Sequence, residues 1–72
     1  MERSEAVTLC KELIVLNLAV PYLVDLEPNK HGKFDLILKG DYDIQALRQF
    51  IAERKLAMEE DKEKGHCIIS KP

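Results

Sequence analysis

The chain has 72 residues, 46% of them hydrophobic and 33% charged, with a formal net charge of −2. This much apolar content at so small a net charge argues against disorder, and the slightly acidic balance argues against general nucleic-acid affinity, which needs clustered Lys and Arg. The length predicts a single domain over residues 1–72, in a size range where one core rarely supplies more than about 3–5 kcal/mol of net stability.

The first predicted element is a helix from Ser4 to Leu16. Ser4 is placed to cap it, and Ala6, Leu9, Cys10, Leu13 and Leu16 recur at the i, i+3, i+4, i+7 spacing of one buried face. Val15 points away from that stripe. Asn17 tolerates the left-handed conformation that ends many helices, and Pro21 cannot continue one. The apolar run Leu13–Val20 falls well short of the roughly 20 residues of a membrane span. The first five residues, Met1-Glu2-Arg3-Ser4-Glu5, lack the cationic character of a secretion signal, so a cytoplasmic location is expected.

A strand is expected from Pro21 to Leu26, with Tyr22, Val24 and Leu26 on its inner face. Pro28-Asn29-Lys30-His31-Gly32 is a turn: Pro presets φ, Asn bonds its own backbone, and Gly supplies positive φ. The second strand, Lys33 to Lys39, alternates apolar and polar residues except at Ile37. Phe34, Leu36 and Leu38 face the core, and Asp35 and Ile37 face outward. Two strands around a connection of this length form an antiparallel hairpin.

Gly40 ends that strand, and the period changes from 2 to 3.6. Asp43 is the expected cap of a second helix, with Asp41 the alternative. Ile44, Leu47, Phe50, Ile51 and Met58 form its stripe, and the helical reading extends from Asp43 to Lys64, where Gly65 stops it. Such a helix spans about 32 Å at 1.5 Å per residue, against about 20 Å for a six-residue strand. Its charged second half would overhang the sheet, and Leu56 would lie off the stripe. His66 to Ser70 reads as a last strand.

The predicted fold class is α+β: two layers in the order α-β-β-α-β, with a small, mostly antiparallel three-stranded sheet and both helices on one face. Strand order 2-1-3 is favoured, and 1-2-3 is its rival. The expected core is Leu9, Leu13, Phe34, Leu36, Leu38, Leu47 and Ile51.

No chemistry is written plainly in this chain. Cys10, Cys67, His31 and His66 are the only soft metal ligands, and they lack the paired short spacings of a zinc site. The two cysteines read as reduced, small buried residues. No candidate nucleophile has a local base, and Gly40 stands beside Asp41 and Asp43, which would repel a phosphate. Neither catalysis nor a metal or other cofactor is expected. Leu23 and Ile37 on the outer sheet face, with Leu56, are apolar groups beyond what one small core uses, so the first functional reading is a homodimeric binding or assembly module. The second is a nucleic-acid-binding hairpin using Lys30, His31, Lys33 and Lys39. The third is a small-ligand or enzyme subunit whose site a partner completes.

Overall fold

The computed structural model describes residues 1–72. In chain order it contains helix α1 (Arg3–Val15), a 3-10 turn (Pro21–Leu23), strands β1 (Val24–Pro28) and β2 (Phe34–Lys39), helix α2 (Ile44–Glu53), and strands β3 (Ala57–Asp61) and β4 (His66–Ser70). The α+β class holds, with two helices and one four-stranded sheet in the order β1-β2-β4-β3, every neighbouring pair antiparallel.

The cap of helix α1 lies two residues before Ser4. Glu2 is its cap residue, and the Glu2 N–H donates to the Glu5 carboxylate at 3.4 Å, so Ser4 lies inside the first turn. The end is where Asn17 places it. Asn17 has a φ of 59° and donates to the Ile14 carbonyl at 3.1 Å, while Leu18 donates to the Leu13 carbonyl at 2.8 Å. These two bonds make a Schellman motif, in which the residue after the left-handed one turns back towards the helix. Before α1, Met1 is buried and exchanges two hydrogen bonds with Phe34, at 3.0 and 2.8 Å.

The first hairpin forms largely as expected, but β1 starts late. Residues 21–23 wind into the 3-10 turn, and Tyr22, expected inward, is 85% exposed. Asn29 builds the connection, its side-chain oxygen accepting from the His31 and Lys33 N–H groups at 2.9 and 3.1 Å.

The largest correction concerns residues 43–64. The second helix stops at Glu53, after ten residues. Lys55 takes a φ of 56° and donates to the Ala52 carbonyl at 3.2 Å, and Leu56 donates to the Ile51 carbonyl at 3.0 Å. This is the same Schellman motif that ends α1, built without Gly or Asn. Leu56 follows the left-handed residue and packs back on the core, which removes the reason to place it off a stripe. The charged run read as an overhanging helix is instead the hairpin β3–β4. Ala57 pairs with Ser70 and Asp61 with His66, with Gly65 at a φ of 68° in the turn.

The strand order also differs from 2-1-3. The strand at His66–Ser70 pairs with β2, not with β1: Leu36 lies opposite Ile69, and Leu38 opposite Cys67. The reason lies in β2 itself. Leu36, Ile37 and Leu38 are all buried, so both faces of that strand favour a central position. β1 carries Asp25, Glu27 and a terminal Pro28, which suit an edge. β2 and β3 run in the same direction with β4 inserted between them.

Both helices cover one face. Ala6, Leu9 and Leu13 of α1 and Leu47, Phe50 and Ile51 of α2 join Leu36, Leu38, Cys67 and Ile69 in one core. Phe34, expected in that core, is half-buried at its margin.

Candidate functional site

The other face of the sheet has no helix on it. Cross-strand register places its side chains in rows: Glu27 opposite Asp35; Asp25, Ile37, Ile68 and Glu59 in one line across all four strands; and Lys39, His66 and Asp61 in the next. Carboxylates from Asp25, Glu27, Asp35, Glu59 and Asp61 thus surround an apolar centre of Ile37 and Ile68. The only lysine in these rows, Lys39, is already paired with Asp25. Asp35 accepts from the Asn29 side chain at 3.2 Å and Asp61 from the Lys64 N–H at 3.2 Å, which hold both carboxylates in place. The site is therefore a negatively charged surface with an apolar centre.

The residues singled out for self-association do not form one patch. Ile37 sits at the centre of this outer face but is only 6% exposed. Leu23 leans over Gly40: a Cβ at that glycine would stand 2.8 Å from the Leu23 Cδ1. Leu56 belongs to the helix side of the sheet. The large apolar side chains that the fold leaves bare are others, Val15 at 78%, Leu16 at 54% and Tyr22 at 85% exposed. Val15 was legible as lying off the helical stripe. Leu16 and Tyr22 were not, because both belong to a capped end or a turn where the period no longer holds.

The basic hairpin residues are likewise dispersed. Lys33 pairs with Glu2 and Lys39 with Asp25, which leaves Lys30 and His31 bare at the tip. Lys33 just precedes β2 and Lys39 ends it, about 20 Å apart at 3.3 Å per residue. A phosphate-tracking surface needs several unpaired cations close together.

On the helix side, a small polar cluster forms where α2 meets β3 and β4. Arg48 donates to Glu60 at 2.9 Å, and Glu60 lies opposite Cys67. Burial, helped by the nearby Glu60 carboxylate, pushes the Cys67 thiol up to about 11, and the Tyr42 phenol beside it is also raised, chiefly by burial. Burial raises the Cys10 thiol as well. Both cysteines are free. A thiol held neutral at physiological pH is a poor nucleophile. His31, His66 and the two cysteines occupy different surfaces, and no group of three or more His, Cys, Asp or Glu side chains is arranged to hold a metal ion. No helix is long and apolar enough to cross a membrane.

Comparison with protein-family models, with curated proteins and with solved structures yields no match, so the functional reading rests on this geometry.

Proposed function

We propose that the protein is a binding module that engages a basic segment of a partner protein through the open face of its sheet. The observation that carries this reading is the carboxylate rim around Ile37 and Ile68, opposed within the face only by Lys39. Surface potentials of opposite sign steer encounter and fix register, whereas like charges set against each other cost affinity. A second copy is the natural occupant for an apolar patch, but a face-to-face pair here would bring Glu27 and Glu59 of one chain against carboxylates of the other. The rim selects a cationic partner instead.

The test is a two-dimensional NMR titration with a peptide of alternating lysine and valine. Saturable shifts are expected at Asp25, Ile37, Glu59 and Ile68, weakening steeply with added salt. Replacing both Glu27 and Glu59, two exposed side chains, by lysine is expected to weaken binding about tenfold or more without changing the fold. Shifts confined to other surfaces, or affinity indifferent to this reversal, would refute the proposal.

Self-association is a second reading, favoured by the exposure of Val15, Leu16 and Tyr22. It would use the end of α1 and the connection to β1. A monomeric mass by light scattering at high concentration, with a melting temperature independent of dilution, would remove it.

A further inference from the structure

A large concave feature of the molecule lies away from the sheet face. It is a cleft of about 540 Å³ between the C-terminal end of α1 with its following loop and the corner that joins β2 to α2. That volume falls within the range of sites that hold organic ligands. One wall is apolar, formed by Ile14, Leu18, Val20 and Pro21. Leu18 packs against the core, but Ile14 and Val20 are half-buried without joining it, so the fold alone leaves their burial incomplete. Tyr42 contributes an aromatic ring at the far side.

The opposite wall is negative. Asp41 and Asp43 line it, and neither takes part in any ion pair of the structure, whose pairs are Lys33–Glu2, Lys39–Asp25, Arg48–Glu60, Arg54–Glu12 and Lys71–Glu5. One oxygen of Asp43 caps α2, accepting from the Gln45 and Ala46 N–H groups at 3.1 and 3.2 Å. Its other oxygen accepts no hydrogen bond from the protein. Helix α1 ends beside this cleft, and its last turn holds no basic residue. Two carboxylates outside any ion pair, the end of a helix and an unfinished apolar wall converge on one space.

We infer that this cleft receives a lysine or arginine side chain, together with the apolar residue beside it, from a partner polypeptide. The carboxylates pair with the cation, while Ile14, Val20 and Pro21 cover the neighbouring apolar side chain and the stem of the basic one. A free small amine would satisfy the carboxylates and leave the apolar wall wet, which is why the occupant is assigned to a chain segment. This inference stands apart from the sheet-face reading, since the two sites share no residue.

The experiment is an NMR titration of the whole protein with the capped peptide Leu-Lys-Val-Lys, with Leu-Glu-Val-Glu and with butylamine. Saturable shifts at Ile14, Leu18–Val20 and Asp41–Asp43 are expected with the basic peptide alone. In the Asp41→Asn/Asp43→Asn variant its affinity is expected to fall about tenfold. Asparagine is as good a helix cap as aspartate, so this variant keeps α2 intact, and Asp41→Asn alone, outside the helix, is expected to show part of the same loss. Equal response to the acidic peptide, an unchanged affinity in the double variant, or no saturable shift at these amides would overturn the inference. Butylamine binding as tightly as the basic peptide would overturn the assignment to a polypeptide. Shifts at Ile37 and Ile68 with none in the cleft would defeat this site while leaving the sheet-face proposal standing.

Discussion

Replacing Lys55 by glycine separates two descriptions of the second half of the chain by the sign of its effect. Lys55 has a φ of 56°, a left-handed conformation in which Cβ crowds the following carbonyl at a cost of roughly 1–2 kcal/mol. Glycine removes that crowding but returns about 0.5–1 kcal/mol through its greater freedom in the unfolded chain. Lys55→Gly is therefore expected to stabilise the protein by about 0.5–1 kcal/mol. For 72 residues, at about 2.1 cal/mol/K of unfolding entropy per residue, that raises Tm by about 3–7 °C. In a helix continuing to Lys64 the same glycine would sit in the interior and cost about 1 kcal/mol, lowering Tm by a similar amount. Thermal melting by circular dichroism, with urea unfolding to confirm an unchanged m-value, reads the sign directly. Lys55→Ala controls for the lost lysine charge, because it keeps the Cβ and should stay near the parent. A lower Tm for the glycine variant, with alanine neutral, would refute the Schellman end and the β3 strand that follows it.

The remaining expectations use the same assays. Leu36 and Leu47 are fully buried, and truncating either to alanine should cost about 2–5 kcal/mol, enough to unfold much of the population; an unchanged Tm for both would refute the core assignment. Asp43→Ala removes an acceptor for two N–H groups and should cost about 0.5–2 kcal/mol, whereas Asp41→Ala should cost less, and the reverse ranking would move the helix start. The Cys67 thiol, raised from 9.0 to about 11 in the fold, stays protonated in the native state where the unfolded chain has begun to ionise. Its contribution is intact below pH 9 and is lost as pH rises towards 11, by up to about 3 kcal/mol. Urea unfolding between these pH values measures the fall, which Cys67→Ala should flatten, and alkylation of native Cys67 at neutral pH should be far slower than that of the unfolded chain.

Local signals explain what was readable without coordinates. The periodic faces of Ala6, Leu9 and Leu13 and of Leu47, Phe50 and Ile51, the Asn29–Gly32 turn, the Gly40 corner and the Asp43 cap are written in residues close together in the chain, so helices, hairpin and inner core follow from spacing and capping chemistry. The Asn17 stop was equally plain, because asparagine tolerates positive φ. The identical stop at Lys55 was not, since lysine carries no such signal and the Glu59-Glu60-Asp61 run imitates a solvated helix surface. Only pairing with β4, remote from local propensity, makes that run a strand. Ile37 carries the sequence signal for strand order. An apolar residue on the outward side of an alternating strand marks a central position, and its neighbours across both edges bury it. The two candidate sites belong wholly to the tertiary structure. Asp25, Asp35 and Glu59 reach one surface only through sheet register, and the end of α1 meets Asp41 and Asp43 only because both helices fold onto the same face of that sheet, a placement set by shared burial rather than by any local pattern.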